Sequence, residues 1–382
     1  MTSRERVIAT LNHREPDRVP FDMVLTIDVY EDLKKALGLN VSKPPRVGHW
    51  TDVQMPVEMI EKLGVDVYYV SPKSAKSAHS KKFEDGSFRD EWGCFWRKVF
   101  TSQGHYYFEL ENPPLKDATI EDLDDYIWPD PNDPVRYEGL YEEMKNVRDN
   151  SGLAIIAKFA GAVFELATYM RGHEQWYADL LIDPEFAHKL MSKINAIQMG
   201  INENCMREAG KFVDIFRFSG EDLGMQDRPL MSINTFRDVA KPHLKQLWSH
   251  GKDLFLQQNP NGKVMLHSCG NIYQYIGDLI ECGVDVLDPI QPRAAKMDRH
   301  RLKKEFGDKL CFHGGIDIQH VLPFGTNEEV EEEIKTALKS LGVGGGYILA
   351  PAHNVQSDVS AKTLLLMSEL VKEYGTYPLN LT

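Results

Sequence analysis

The sequence predicts an α/β fold, a barrel in which eight parallel strands alternate with helices. Eight apolar, β-prone runs are candidate strands, and they begin at Phe21, Val65, Leu153, Asp214, Val264, Val284, Leu310 and Tyr347. Helical patterns separate most of these runs, which is the order expected of a parallel sheet surrounded by helices. A doubly wound open sheet is the alternative architecture, but no Gly-x-Gly-x-x-Gly turn follows an early strand. We therefore expect a (β/α)8 TIM barrel, formed by residues 1–382 as a single domain.

The composition excludes several classes of function. Apolar residues make up 42% of the chain, enough for a substantial core. The formal net charge is −13 and lysine and arginine form no stripe, so we expect no nucleic-acid partner and no membrane surface. No apolar run approaches the about 18 residues of a membrane span, and Met1–Arg6 is not signal-like, so we expect a cytoplasmic protein. The five cysteines are odd in number and scattered, which indicates reduced thiols.

The N-terminal region is predicted to supply the first two barrel strands. A hydroxyl cap and an acidic first turn begin a helix over Thr2–Leu11, and Pro16 and Pro20 end the helical pattern before a strand at Phe21–Leu25. Further helices are predicted at Tyr30–Leu37 and Val57–Leu63, on either side of a loop that contains Pro44 and Pro45. Val65–Val70 follows as a strand because it is rich in β-branched and aromatic residues.

Residues 71–131 have a different pattern and are predicted to be a β-rich excursion inserted between barrel units. Asp85-Gly86 is a strong hairpin signal, and the aromatic-rich runs Phe88–Trp96 and Val99–Phe108 are strand candidates. A short acidic helix is expected at Thr119–Tyr126. An ordinary surface hairpin is favoured over a dedicated binding module, but the aromatic content leaves open a role in covering the active site.

From residue 136 onward, strands and helices alternate. Strands are predicted within Leu153–Ala160, Asp214–Phe218, Val264–Cys269, Val284–Leu287, Leu310–Phe312 and Tyr347–Leu349. Helices are predicted at Pro184–Ala209, Ile233–His250, Ile272–Cys282, Asp298–Phe306, Asn327–Leu341 and Ala361–Tyr374. Local signals support these bounds: Asp183 caps a helix that has proline in its first position, and Gly283 follows a helix end.

One stretch, Val264–Asn271, combines a strand pattern with two metal-binding side chains. Side chains alternate faces along a strand, so His267 and Cys269 point the same way. Imidazole and thiolate are ligands that zinc takes readily, and a site with an open position is catalytic rather than structural. For an isolated His-x-Cys pair, a buried hydrogen-bonded histidine and a small core thiol would be the more common explanation.

Polar residues at the ends of other predicted strands favour a functional site over a buried histidine and a core thiol. Eight polar residues lie at or just past the C-terminal ends of predicted strands: Glu221, His267, Cys269, Asp288, Gln291, His313, Asp317 and His353. In a barrel those positions surround one mouth, where such enzymes carry their active sites.

We predict a zinc site at this mouth. His267 and Cys269 are two of its ligands, His353 is a candidate third, and Glu221 is an alternative third or a fourth ligand. A hydrogen bond from His353 to a loop carbonyl and a cap-like contact of Glu221 with a helix are equally acceptable explanations. Asp222 competes with Glu221 for the inward position.

Three residues are candidates for catalysis around this metal. We expect His313 and Asp317 to contact substrate or to support the metal ligands, because Gly314-Gly315 indicates a close approach of the backbone. Together with Glu221 they form the predicted catalytic set. Cys94, Cys205, Cys282 and Cys311 are expected to be unrelated to the metal.

The chain resembles the uroporphyrinogen decarboxylase superfamily nearly from end to end. The segments that carry the resemblance are Leu11–Pro20, which is similar to the opening signature of that group, Pro114–Thr119 and His313–Asp317. The resemblance implies a (β/α)8 barrel, in agreement with the strand count. The superfamily contains porphyrinogen decarboxylases and zinc-dependent methyltransferases that work with corrinoid proteins.

Two segments favour the methyltransferase branch. The decarboxylases carry an arginine-rich segment after the first strand, whereas Phe21–Asp28 contains two acids and no arginine, so a carboxylate-rich porphyrinogen would be repelled there. His267-Ser268-Cys269 is similar to the zinc motif of the methyltransferases. Those that methylate thiols use a further cysteine near the last strand. His353 stands in that region here, which resembles the branch that demethylates methoxylated aromatics.

The resemblance therefore implies a zinc-dependent O-demethylase. An imidazole in place of a second thiolate leaves a stronger Lewis acid, suited to an ether oxygen. The small-molecule methyl donor would pass its methyl group to cob(I)alamin. No Asp-x-His-x-x-Gly motif occurs, so the sequence singles out no corrinoid-binding residues, and the cobalamin is expected on a separate corrinoid protein. The alternatives are, in order, a methylcorrinoid:thiol methyltransferase, a uroporphyrinogen-type decarboxylase and a non-catalytic corrinoid- or tetrapyrrole-binding protein.

Overall fold

A computed structural model describes residues 1–41, 46–47, 51–102 and 104–381 of the chain. The predicted loop at Pro44 and Pro45 lies outside these residues. The strands are, in chain order, β1 Leu25–Thr26, β2 Asp52–Val53, β3 Val67–Val70, β4 Lys81–Lys82, β5 Phe88–Arg89, β6 Phe95–Phe100, β7 Tyr106–Glu111, β8 Ala154–Lys158, β9 Ile215–Phe218, β10 Lys263–His267, β11 Val286–Ile290, β12 Cys311–Ile316 and β13 Tyr347–Pro351.

Seven of these strands form one curled parallel sheet in the order β13-β12-β11-β10-β9-β8-β3. Among these seven strands, neighbours in the sheet follow one another along the chain, with only the inserted strands β4–β7 between β3 and β8, which is the topology of a (β/α)8 barrel. The strands are almost entirely buried because helices cover their outer face. The predicted α/β class and TIM-barrel fold are confirmed.

The segment around Phe21 closes the barrel as its eighth strand. The Leu349 amide donates to the Pro20 carbonyl at 2.9 Å, and the Asp22 amide donates to the Leu349 carbonyl at 2.9 Å. On the opposite side, the Asp66 amide donates to the Phe21 carbonyl at 2.8 Å. Only isolated bridges form here, because β1 leaves the barrel and pairs antiparallel with β2.

The helices surround this sheet. They are α1 Ser3–Leu11, α2 Ile27–Ala36, α3 Val57–Leu63, α4 Asp122–Asp125, α5 Leu140–Asn150, α6 Phe164–Arg171, α7 His173–Ile182, α8 Pro184–Ala209, α9 Ile233–Thr235, α10 Lys241–Gln258, α11 Ile276–Glu281, α12 Arg299–Phe306, α13 Val321–Phe324, α14 Asn327–Ala337 and α15 Ala361–Tyr374. The predicted bounds of α3, α8 and α15 agree with the structure. Among the described residues, no helix is both long and apolar enough to cross a membrane.

The excursion between β3 and β8 contains a four-stranded antiparallel sheet, β4-β5-β6-β7. The predicted strand Phe88–Trp96 is interrupted by a turn at Gly93, whose φ is +89°, so it becomes the end of one hairpin and the start of the next. Trp96 packs edge-on against Tyr169 of α6, with ring centroids 5.3 Å apart. The sheet thus rests on the helix that follows β8, next to the barrel mouth.

Candidate active site

His267 ends β10 and is held by a carboxylate from the neighbouring strand. The register of β10 and β11 pairs His267 with Asp288, and Nδ1 of His267 lies 2.9 Å from Oδ2 of Asp288. Because an ionised carboxylate only accepts, Nδ1 carries the proton and Nε2 presents its lone pair to the mouth. A carboxylate on the far nitrogen is the usual support of a metal-binding histidine.

Cys269 and His267 converge on one side chain, Asp222. Oδ1 of Asp222 accepts a hydrogen bond from the Cys269 amide at 3.2 Å and lies 4.0 Å from Nε2 of His267. Burial raises the pKa of the Cys269 thiol, and the neighbouring Asp222 carboxylate raises it further. The Cys269 thiol and Nε2 of His267 thus both lie near the Asp222 carboxylate, although β10 ends at His267 and Cys269 belongs to the loop that follows.

Two interlocked loops fix this arrangement. Gly270 has a φ of +79°, and a Cβ there would lie 2.7 Å from the backbone of Gly224. The Asn271 amide also donates to the Met225 carbonyl at 2.7 Å. This backbone contact holds the loop after β9, with Asp222, against the loop after β10, and only glycine fits at position 270.

His353 follows β13 and reaches the same position from across the mouth. Its ring meets that of His267 edge-on, with centroids 5.5 Å apart, and the residue is otherwise exposed. Partial burial lowers the pKa of His353, and the neighbouring His267 lowers it further. A neutral imidazole at this place is available as a ligand.

The Glu221 side chain lies at the start of α6, away from the position that His267 and Cys269 share. Its Oε1 accepts from the amides of Val163 and Phe164, and its Oε2 accepts from the amide of Glu165 at 2.9 Å. These are the unpaired donors at the start of α6, so Glu221 caps a helix, and burial raises its pKa to about 8 against the effect of the amides. The prediction of Glu221 as a metal ligand and catalytic residue is corrected accordingly: both of its oxygens face α6.

Glu165, which the sequence did not single out, is a further acid beside Gly220 and Asp222. Its side chain is partly buried, and the Tyr169 hydroxyl donates to Oε1. A Cβ on Gly220 would lie 2.8 Å from Oε2 of Glu165 and 3.5 Å from Cδ2 of His267. Burial raises the pKa of Glu165, and the nearby Asp222 carboxylate adds to this effect.

His313 is buried between two carboxylates. Its Nδ1 lies 2.8 Å from Asp288 and its Nε2 lies 2.8 Å from Asp22, which also accepts from the Tyr69 hydroxyl at 2.6 Å. Although burial lowers the pKa of His313, the two carboxylates outweigh it and raise the value to about 9. The pKa of Asp288 is held well below its usual range by His313 and Arg217 despite burial. His313 is thus a cation that supports Asp288 and hence His267.

Asp317 and Gln291 shape the surrounding loops. Oδ1 of Asp317 accepts from the amides of Gln319 at 2.8 Å and His320 at 3.2 Å, and its Oδ2 lies 3.7 Å from Arg293. Asp317 thus caps a loop turn, and its hydrogen bonds do not join it to the His267 cluster. Gln291 accepts from the Gly270 amide at 2.9 Å and steadies the loop that carries Cys269.

The remaining four cysteines are free and buried, and none of them joins this cluster.

The cluster fits a divalent cation by its chemistry, although its side chains are not closed around one. Among the described residues, no three His, Cys, Asp or Glu side chains are already arranged as a metal-binding group. The residues nevertheless supply an imidazole whose Nε2 faces the mouth, a thiol and a second imidazole, which is a donor set of the kind that zinc prefers. Zinc binding would require the Cys269 thiol to lose its proton.

Comparison with known proteins gives three informative matches. Residues 105–374 match the family model "Uroporphyrinogen decarboxylase (URO-D)". A uroporphyrinogen decarboxylase of Chlorobium phaeobacteroides is 27% identical over 266 residues, which cover 66% of this chain and 69% of the relative, and that of Psychromonas ingrahamii is 23% identical over 282 residues, covering 71% and 73%. The solved structure of a methyltransferase from Methanosarcina mazei superposes with a TM-score of 0.65 at 17% identity, over 98% of this chain and 99% of that one.

Proposed function

Since the chain belongs to the uroporphyrinogen decarboxylase family, we propose that it is a zinc-dependent methyltransferase that takes a methyl group from a methoxylated, aromatic substrate to the cob(I)alamin of a separate corrinoid protein. The observation that carries the proposal is the convergence of His267 and Cys269 at the barrel mouth, with His267 oriented by Asp288. The fold shared with a methyltransferase over nearly the whole chain supports the same reading.

His267, Cys269 and His353 would hold the zinc. Bound there, the ion would act as a Lewis acid on the ether oxygen of the substrate. Asp288 fixes the tautomer of His267, and the His313 cation keeps Asp288 ionised. Asp222 holds the Cys269 amide, so the thiol stays directed at the mouth.

The proposed transfer balances without an oxidant or reductant. The bond between the methyl carbon and the aryl oxygen breaks, both of its electrons stay on the oxygen, and the methyl group is taken up by cob(I)alamin. The aryloxide then receives a proton from solvent and leaves as a phenol. The corrinoid protein would dock over the barrel mouth, where enzymes of this fold carry their active sites.

The test is methyl transfer from methoxyarenes to cob(I)alamin by the purified, zinc-loaded protein, followed by absorbance and by detection of the phenol. Zinc analysis of the wild type and of His267→Ala, Cys269→Ala and His353→Ala accompanies it. We expect about one zinc per chain in the wild type and loss of metal in the variants. Bound zinc with no transfer from any methoxyarene would overturn the demethylase proposal.

A decarboxylase is the second candidate, because the curated relatives are uroporphyrinogen decarboxylases. Release of carbon dioxide from a porphyrinogen that persists after chelation of metal would favour it. The Asp222 carboxylate, which has no lysine or arginine partner among the described residues, disfavours a substrate that carries several carboxylates.

A methylcorrinoid:thiol methyltransferase would instead methylate a small thiol from methylcobalamin. Tight pigment binding that His267→Ala and Cys269→Ala leave unchanged would indicate a non-catalytic binding protein. Both outcomes would replace the demethylase proposal.

A further inference from the structure

The carboxylate that faces the metal position comes from a helix rather than from a strand end. Glu165 lies in the first turn of α6, and α6 begins where the Glu221 side chain accepts three consecutive amides. Those hydrogen bonds fix the start of the helix at one residue. They therefore also fix the direction in which Glu165 leaves it.

The two oxygens of Glu165 have different surroundings. Oε1 accepts from the Tyr169 hydroxyl, one turn further along α6. Oε2 faces Gly220, on the side of His267. A Cβ built on Gly220 would lie 2.8 Å from Oε2 of Glu165 and 3.5 Å from Cδ2 of His267. A Cβ at position 220 would crowd both groups, so the glycine leaves room for Glu165 and His267 beside the same point of the backbone.

The titratable groups around Glu165 are acidic. Its neighbours Asp222 and Glu221 are acids, and the structure pairs no lysine or arginine with Glu165 or Asp222 among the described residues. The Cys269 thiol lies on the same side, next to Asp222. A cation bound between these groups would meet acidic side chains without competition from a lysine or arginine.

We propose that Glu165 is a ligand of the metal, through Oε2, beside His267, Cys269 and His353. The inference rests on the proposed function, since it needs a zinc ion at the barrel mouth. Tyr169 acts as the supporting partner, because ligating carboxylates are themselves hydrogen-bonded. Trp96 of the inserted sheet packs on Tyr169, so the excursion helps to position this ligand.

The test measures zinc affinity by competition with a chelator in the full-length protein, and the visible absorption of the cobalt-substituted protein, which depends on the ligand number. The variants are Glu165→Gln, Tyr169→Phe and, as a control for loss of an acid, Glu174→Gln on the exposed face of α7. We expect Glu165→Gln to lose more than the about 10–100-fold in affinity that removal of a supporting partner costs, and Tyr169→Phe to lose about 10–100-fold. Glu174→Gln should match the wild type.

Each outcome separates the inference from the proposed function. A wild type that binds no zinc or cobalt overturns both. Zinc binding of equal strength in wild type and Glu165→Gln, with unchanged cobalt bands, overturns only the role of Glu165. Circular dichroism establishes that each variant is folded. Should Glu165→Gln fail to fold, Tyr169→Phe decides, because unchanged affinity in that variant contradicts a supported carboxylate ligand.

Discussion

Replacing His313 by glutamine is expected to change how the stability of the protein depends on pH. In the folded protein the imidazole lies 2.8 Å from Asp22 and 2.8 Å from Asp288, and its pKa is raised from 6.5 to about 9. A group whose pKa is raised by folding stabilises the protein fully below its unfolded pKa. That stabilisation is lost as the pH rises through the folded pKa.

The magnitude follows from the two pKa values. Each pKa unit corresponds to about 1.4 kcal/mol, so the His313 cation contributes roughly 3 kcal/mol below pH 6.5, and this contribution disappears by about pH 9. The entropy of unfolding of a chain of 382 residues is about 0.8 kcal/mol/K, so the same change corresponds to a Tm shift of about 4 °C.

The assay is thermal or urea unfolding of wild type and His313→Gln at intervals between pH 6 and pH 10. Other groups that titrate in this range are common to both proteins, so the difference between the two curves isolates His313. We expect His313→Gln to be less stable at pH 6 and the gap to narrow by roughly 3 kcal/mol towards pH 9. Parallel curves across the range would refute a buried imidazolium.

Three further predictions concern the neighbouring residues. In Glu221→Ala three α6 amides lose their acceptor, so the free energy of unfolding should fall by more than the about 1–3 kcal/mol that one unsatisfied buried donor costs. The variant should still bind zinc. Loss of zinc at unchanged Tm would restore Glu221 as a ligand. Asp288→Asn should weaken zinc binding about 10–100-fold by releasing Nδ1 of His267, as chelator competition can measure; equal affinity would contradict that support. Gly220→Ala should cost about 1–3 kcal/mol in denaturant unfolding and weaken zinc binding, because its Cβ would lie 2.8 Å from Oε2 of Glu165; an unchanged protein would mean that Glu165 moves freely.

The barrel could be predicted because its strands and caps are local signals. The runs beginning at Leu153, Asp214 and Val264 are short, β-branched and bounded by glycine or polar residues, and the structure has strands there. Strand alternation predicts that His267 and Cys269 share one side, but β10 ends at His267 and the position of Cys269 is set by the loop that follows. What alternation cannot give is the register of β10 against β11, and it is this register that pairs His267 with Asp288.

Helix α6 was missed because it is short and carries no capping side chain of its own: Val163 stands at its N-cap, and the acceptor for its first amides is the distant Glu221. Both of its sides are covered, by the sheet β4–β7 and by the barrel, and six of its eight residues are buried. Without that helix, the sequence predicts Glu221 as the acid that points into the mouth and assigns no position to Glu165. The one local signal of this helix is Gly172, which lies at its C-terminal end. A Cβ at that position would lie 3.0 Å from Pro113 of the excursion.

The charged side chains at the mouth form two groups, a deeper layer and an upper layer. They differ in whether each acid is paired with a cationic side chain. In the deeper layer each acid has its own cation: Asp22 with His313 at 2.8 Å, Asp52 with Lys158 at 2.9 Å and Asp288 with Arg217 at 2.9 Å. In the upper layer, Asp222, Glu165 and Cys269 have no lysine or arginine partner in the described part of the chain. At the level of Nε2 of His267, the proposed zinc ion would therefore meet the acids of the upper layer. The deeper acids are already paired with His313, Lys158 and Arg217, so we expect them to orient the proposed ligands and not to bind the metal.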